Sequence, residues 1–107
     1  MNTTACNPAS LDSLRNIGPR LLPALITVFL DDTPSVLTGL RAAAAANDLW
    51  TLRMLKHRLK GSSGIFGADT LVALCDSCER DTDLTTWLET VEAEYTRVAA
   101  ELVQVAA

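Results

Sequence analysis

The sequence predicts an all-α protein: an antiparallel four-helix bundle with a short additional N-terminal helix. Apolar residues recur at intervals of three and four along almost the entire chain, which is the spacing of one helix face. Alternation with a period of two, which indicates half-buried strands, is not convincing anywhere. The segments between the apolar runs are short, and short connections favour antiparallel neighbours in a bundle.

The short first helix is predicted by its two ends. Asn7 is a suitable N-cap, and Pro8 fits the first helical position. Gly18 is expected to end the helix. Its apolar stripe is Leu11, Leu14 and Ile17.

The second helix is predicted to begin between Pro19 and Pro23, because proline is tolerated only in the first turn. At Thr33-Pro34 we expect the helix to restart or kink. The inward residues before this point are Leu22, Leu25, Ile26, Phe29 and Leu30, and those after it are Val36, Leu37 and Leu40.

The third and fourth helices are separated by a glycine-rich stretch. Asn47-Asp48 forms a predicted turn, in which Asp48 caps the third helix, and the fourth helix opens at Gly67 or Asp69. The third helix carries Leu52, Leu55 and Leu59, and the fourth carries Leu71, Leu74, Cys75 and Cys78.

The last helix has the most regular pattern in the chain and follows a polar turn at 80–83. Acidic side chains between Asp76 and Glu94 are interpreted as a solvated face, because no pair of them is distinguished as catalytic. The stripe is Leu84, Leu88, Val91, Tyr95, Val98, Leu102 and Val105.

Composition predicts one domain over residues 1–107, with a core at about 8–104. The net charge of −4 disfavours nucleic acid as a partner, because that binding depends on phosphate neutralisation by Lys and Arg. No apolar run approaches the roughly 18 residues that span a bilayer, and the first ten residues lack the basic and apolar regions of a signal peptide. We therefore expect a cytoplasmic protein with no membrane contact.

The three cysteines are odd in number and too few for a disulfide scaffold. Cys75 and Cys78 have the spacing C-x-x-C, but a zinc site needs four ligands and no second pair exists. We predict no metal site, and we assign both residues a structural role in the core. Cys6, ahead of the first helix, is expected to react readily.

His57 is the only histidine, and helix geometry predicts that it points to solvent. At about 100° per residue, His57 lies about 140° from Leu52, almost opposite the mean direction of Leu52, Leu55, Leu59 and Phe66. The residues on the same outward side are Trp50, Arg53, Met54, Lys60, Gly61 and Gly64.

The surroundings of His57 indicate an approach by another molecule. Gly61 and Gly64 follow at i+4 and i+7, although a glycine within a helix costs roughly 1 kcal/mol relative to alanine. The ridge therefore lacks side chains that would obstruct a partner. Four bases lie within eight residues and favour an anion on the imidazole or an acidic partner: Arg53, Lys56, Arg58 and Lys60.

Other interpretations of these residues remain open at this point. His57 could be an ordinary surface residue, the glycines could mark a helix end, and the bases could form a solvated face. Ser62 and Ser63 face inward, where small hydroxyl residues allow close helix approach, so we assign them a structural role. Serine catalysis is disfavoured because no base is placed beside them and no strand-turn-helix elbow precedes them.

The segment from His57 to Ala68 reads His-Arg-Leu-Lys-Gly-Ser-Ser-Gly-Ile-Phe-Gly-Ala, and it resembles the signature of histidine-containing phosphotransfer domains. The family pattern is His-x-Leu-Lys-Gly-Ser-Ser, three further residues, and Gly-Ala. The flanking segments Phe29–Pro34 and Leu71–Glu79 are also similar, so the likeness covers roughly residues 8–104.

The resemblance implies a monomeric bundle that acts as a phosphorelay intermediate. His57 would accept a phosphoryl group from a receiver-domain aspartate and pass it to another receiver, while Lys60 contacts the phosphoryl oxygens and Gly61 leaves room for the receiver. The implied partners are receiver domains of a hybrid histidine kinase, of a response regulator, or of both. The receiver would supply magnesium, so the chain needs no cofactor and has no kinase activity of its own.

The alternative function is a non-catalytic helical interaction module that binds a receiver or another signalling protein through the same face. Both functions use the same predicted docking surface, and phosphorylation of His57 discriminates between them. The docking residues are Trp50, Arg53, Met54, Arg58, Gly61 and Gly64.

Overall fold

The computed structural model describes residues 4–77 and 83–106. Within these residues the chain forms five α-helices and no strand, which confirms the predicted all-α class. The helices are α1 (Pro8–Ile17), α2 (Leu21–Ala45), α3 (Leu49–Ile65), α4 (Asp69–Cys75) and α5 (Leu84–Ala106).

Four of the helices surround one core. α2 packs against α3 and α5, and α4 packs against the same two helices, while α1 lies outside this ring against α2. The prediction of a four-helix bundle with a short additional N-terminal helix is therefore confirmed. The largest fully buried side chains include Ile26, Leu40, Leu52, Leu59, Phe66, Leu71, Val91, Val98 and Leu102.

Side-chain caps fix where three helices begin. The Asn7 carboxamide oxygen accepts a hydrogen bond from the Ala9 N–H at 2.9 Å, and Asp48 accepts one from the Thr51 N–H at 3.2 Å. Both caps match the sequence prediction. Asp83 caps α5 in the same way. Hydrogen bonds from Thr51 also hold the pKa of Asp48 below its ordinary value, because they stabilise the carboxylate.

α2 continues through Pro34, so the predicted restart of the helix at this point is wrong. Pro34 has no N–H to donate to the carbonyl one turn earlier, which removes one helical hydrogen bond. Buried residues on both sides, Phe29, Thr33 and Val36, nevertheless pack one continuous face into the core. This burial outweighs the local preference for a break.

α2 is also long and apolar enough to cross a membrane by length and composition alone. Its apolar side chains Ile26, Phe29 and Leu40 are instead buried in the bundle. Its exposed side carries Asp31 and Arg41. This distribution of buried apolar and exposed charged side chains is typical of a helix that packs into the core of a bundle.

The segment before α1 is fastened to the bundle. The Glu101 carboxylate accepts hydrogen bonds from the backbone N–H groups of Ala5 and Cys6, and the Asn7 N–H donates to the Gly67 carbonyl at 2.9 Å. Cys6 is only 2% exposed, and burial first, then the nearby carboxylates of Glu101 and Glu94, raise its pKa to about 11. The expectation that Cys6 reacts readily is therefore wrong.

Gly67 is predicted to be required for the turn between α3 and α4. Its φ is +65°, and a Cβ there would lie 2.6 Å from the Asn7 Cβ. We expect Gly67→Ala to lower the free energy of unfolding by about 2 kcal/mol. Gly61→Ala is the matched control: nothing lies within 4 Å of its Cβ position, so it should be neutral or stabilising by up to about 1 kcal/mol. Urea unfolding followed by circular dichroism measures both; equal stability of Gly67→Ala and wild type would contradict the prediction.

Candidate functional site

α3 presents His57 to solvent because its opposite face is buried. Leu52, Leu59 and Phe66 are 0–1% exposed, and His57 is exposed, as the helical geometry predicts. Gly61 is exposed one turn further on, and a Cβ there would meet nothing within 4 Å. No contact inside the described protein therefore requires glycine at this position.

Two surface grooves meet at His57. A polar groove of about 320 Å³ lies toward α4 and is lined in part by Arg53, Lys60 and Asp76. A larger, mostly apolar groove of about 500 Å³ lies on the other side and is lined by Trp50, Arg53, Met54, Leu55, His57 and Arg58. The imidazole thus has a charged neighbourhood on one side and an apolar one on the other.

Lys60 is paired with an acid at the C-terminal end of α4. Its Nζ lies 2.7 Å from Oδ1 of Asp76, and both side chains are substantially exposed. Sequence reasoning assigned Asp76 to a solvated face and missed this pairing. Since Lys60 lies in α3 and Asp76 follows the end of α4, no local signal in the sequence could have revealed the pairing.

Arg58 has a similar partner on α2. One of its guanidinium nitrogens lies 2.6 Å from Oδ1 of Asp32. The fold therefore brings an acid to Arg58 as well as to Lys60, although the basic stretch of α3 contains no acid of its own. The positive field around His57 is weaker than the sequence alone indicates.

Lys56 does not belong to the exposed basic surface. It is buried, its Nζ donates to the Ser77 carbonyl at 2.8 Å, and it lies 5.3 Å from the centroid of the Trp87 ring. The helical geometry contained this signal, since Lys56 lies only about 40° from Leu52. Lys56 instead ties α3 to the C-terminal end of α4 and to α5.

Ser62 and Ser63 lie on the inner side of α3, as predicted. Ser62 Oγ donates to the Leu59 carbonyl at 3.2 Å. Ser63 is fully buried, and its Oγ has no hydrogen-bond partner among the described residues. At Gly64, a Cβ would come no closer than 4.0 Å to Val72, which is ordinary contact. The structural role assigned to Ser62 and Ser63 stays a prediction.

Cys75 is buried and is one of the residues that line the polar groove. Burial raises its pKa to about 11; Lys56 opposes this shift and Asp76 adds to it. The structural role predicted for Cys78 lies outside the described residues. In the described parts of the chain, no three His, Cys, Asp or Glu side chains come together as a group that could hold a metal ion.

A helical bundle in which one helix exposes a single imidazole, with a groove on each side of it, has the architecture expected of a phosphotransfer domain. The sequence profile of the Hpt domain matches residues 24–107, which include most of α2 and all of α3, α4 and α5. The chain therefore belongs to the Hpt domain family. This finding confirms the resemblance carried by the segment from His57 to Ala68.

Individual relatives are phosphorelay proteins. The chain is 33% identical over 81 residues to the phosphorelay protein LuxU of Vibrio harveyi, which covers 75% of this chain and 66% of that protein. It is 34% identical over 68 residues to LuxU of Vibrio cholerae serotype O1, which covers 63% of this chain and 60% of that protein. The matched segments thus span about two thirds or less of the length of these relatives.

A solved structure has the same fold over nearly the whole chain. It is the histidine-containing phosphotransfer protein B (HptB) of Pseudomonas aeruginosa PAO1, with 26% sequence identity and a TM-score of 0.89. The match covers 98% of this chain and 96% of that one. The similarity therefore includes the short N-terminal helix as well as the four-helix ring.

Both described cysteines are predicted to resist alkylation in the folded protein. The thiolate is the reactive form, and both pKa values lie near 11, so iodoacetamide at about pH 8 should label Cys6 and Cys75 about 100-fold more slowly than in the unfolded chain. Mass spectrometry of timed samples gives the labelling rates. Rapid native labelling of either residue would show that the N-terminal segment or α4 opens readily.

Because both pKa values are raised on folding, the contribution of the two protonated thiols to the free energy of unfolding is complete below about pH 9 and is lost as the pH rises toward about 11.

Proposed function

We propose that the protein is a phosphorelay intermediate. In this role His57 accepts a phosphoryl group from an aspartyl phosphate of one receiver domain and donates it to the aspartate of another. The observation that carries the proposal is the exposed imidazole of His57, which stands between a charged groove and an apolar groove in a member of the Hpt family.

The reaction needs only a nucleophilic ring nitrogen on this chain. A lone pair of neutral His57 attacks the phosphorus, a P–N bond forms, and the P–O bond breaks with its electron pair leaving on the aspartate carboxylate. The proton on the other ring nitrogen stays on the ring or passes to water. Attack by the carboxylate of a second receiver reverses these steps and regenerates the imidazole. Nε2 is the expected nucleophile, because it lies farther from the backbone than Nδ1.

The two grooves support different parts of this role. Phosphoryl transfer is catalysed mainly by positioning and by stabilisation of charge on the phosphoryl oxygens. Lys60 and Arg53, in the polar groove, are the cations that we assign to those oxygens. Trp50 and Met54, which are 72% and 49% exposed, offer apolar area for the receiver, and Gly61 lets it approach.

The remaining parts of the proposal concern the partners and the setting. We propose that receiver domains of a hybrid histidine kinase, of a response regulator, or of both are the partners, and that the receiver holds the magnesium ion. The chain would act as a cytoplasmic monomer without kinase activity of its own and without contact to nucleic acid or membrane.

His57→Gln is predicted to abolish phosphoryl transfer. Receiver domains of the source organism, phosphorylated with acetyl phosphate, should label the wild-type chain with an acid-labile and base-stable group, as a phosphoramidate is. The variant keeps a polar side chain on the exposed face and should melt like the wild type, but it has no ring nitrogen. Labelling of the folded His57→Gln variant would contradict the assignment. Receiver binding without any labelling of the wild type would favour the interaction module.

Gly61→Leu is predicted to block the receiver without unfolding the domain. Leucine would stand one turn from His57 on the same face, in space that is empty in the isolated protein. Transfer from a phosphorylated receiver should fall at least about tenfold, which corresponds to 1.4 kcal/mol. Gly61→Ala, the matched small substitution, should retain most of the activity.

The transfer rate and the melting temperature are measured together for both Gly61 variants. Normal transfer by Gly61→Leu would show that the receiver does not pack over this ridge. Loss of folding in Gly61→Leu would show that Gly61 is a packing residue and that the outward face has been assigned wrongly.

A further inference from the structure

We infer that Asp76 is a positioning residue that competes with the phosphoryl group for Lys60. This competition would make phosphorylated His57 a stronger phosphoryl donor than the same site without the acid. The inference rests on the proposed function, since it concerns the phosphorylated state of His57.

The polar groove places the three groups of this competition together. His57, Lys60 and Asp76 all line it, and Lys60 Nζ is 2.7 Å from Asp76 Oδ1. Among the residues that the structure describes, the other charged side chains that line the groove are Arg53 and Lys56. Lys56 donates to the Ser77 carbonyl, so its ammonium is directed to the end of α4.

The position of Asp76 is fixed although its side chain is exposed. It caps the C-terminus of α4, between two carbonyls that are bound by neighbouring helices. Trp87 Nε1 donates to the Leu74 carbonyl at 2.8 Å, and Lys56 Nζ donates to the Ser77 carbonyl at the same distance. The backbone around Asp76 is therefore held by contacts with α3 and α5, in a position from which the carboxylate reaches Lys60.

Phosphorylation changes the balance of charge in this groove. A phosphoryl group adds a charge of about −1.5 to −2 and three acceptor oxygens. If Lys60 turns to those oxygens, Asp76 is left unpaired beside a second anion. If Lys60 stays with Asp76, the phosphoryl group lacks that cation. In both cases Asp76 disfavours the phosphorylated state relative to the unmodified one.

The expected size of the effect is modest. Ion pairs between exposed side chains change equilibria by about two- to fivefold. Lys60 and Asp76 have side-chain exposures of 43% and 55%, so their pair belongs to this class. A pair of this strength can exchange partners and still shift the distribution of phosphoryl groups between the two proteins.

The test is the equilibrium of phosphoryl exchange between the full chain and the receiver domain that labels the wild type. Asp76→Asn should shift this equilibrium about two- to fivefold toward phosphorylated His57, and Asp76→Glu should restore the wild-type value. Asp69→Asn is the matched control, because it makes the same charge change in the first turn of α4 and Asp69 does not line the groove. In a Lys60→Ala background, Asp76→Asn should shift the equilibrium much less.

Each alternative result counts against the inference. An unchanged equilibrium for Asp76→Asn, or a shift away from phosphorylated His57, would show that Asp76 does not compete for Lys60. An equal shift in Asp69→Asn or in the Lys60→Ala background would show a general charge effect. All of these results leave labelling of the wild type on His57 intact, so failure of the inference is distinguishable from failure of the proposed function.

Discussion

The burial of one face of α3 is the constraint on which the rest of the site depends. Leu52, Leu59 and Phe66 are spaced by seven residues, close to two full helical turns, so they fall on one side and lock it into the core. His57, five residues after Leu52, is then forced to the other side. The exposure of the His57 ring is thus a consequence of core packing, and no additional structural feature is needed to keep it at the surface.

The segments packed against α3 supply the acidic side chains that α3 itself lacks. Asp32 on α2 pairs with Arg58, and Asp76 at the end of α4 pairs with Lys60. These acids moderate a basic stretch that would otherwise be strongly positive. Hydrogen bonds from Trp87 and Lys56 hold the end of α4, so the second of these acids lies next to Lys60 in the groove that His57 also lines. On the proposed function, we expect such a site to attract a phosphoryl group without binding it so tightly that onward transfer is lost.

The features predictable from the sequence are those set by local spacing. The caps at Asn7 and Asp48, the stripe of α5 and the outward direction of His57 all follow from helical periodicity and from side chains within one or two turns. The features that escaped prediction depend on distant contacts. Two such contacts are the hydrogen bond between Cys6 and Glu101 and the ion pair between Lys60 and Asp76. Each joins segments that are distant in the sequence, and helical periodicity does not indicate which segments meet. Of the two outcomes predicted at Pro34, a restart or a kink of the helix, the restart is excluded because core burial outweighs the local signal.

The central claim is that a ring nitrogen of His57 carries the phosphoryl group. Phosphorus NMR of the full chain, after labelling by a phosphorylated receiver, tests it most directly. The account predicts one phosphoramidate resonance with couplings to the ring protons of His57, and the coupling pattern identifies the nitrogen. A resonance of an acyl phosphate or of a phosphoserine, with no coupling to the imidazole, would contradict the account.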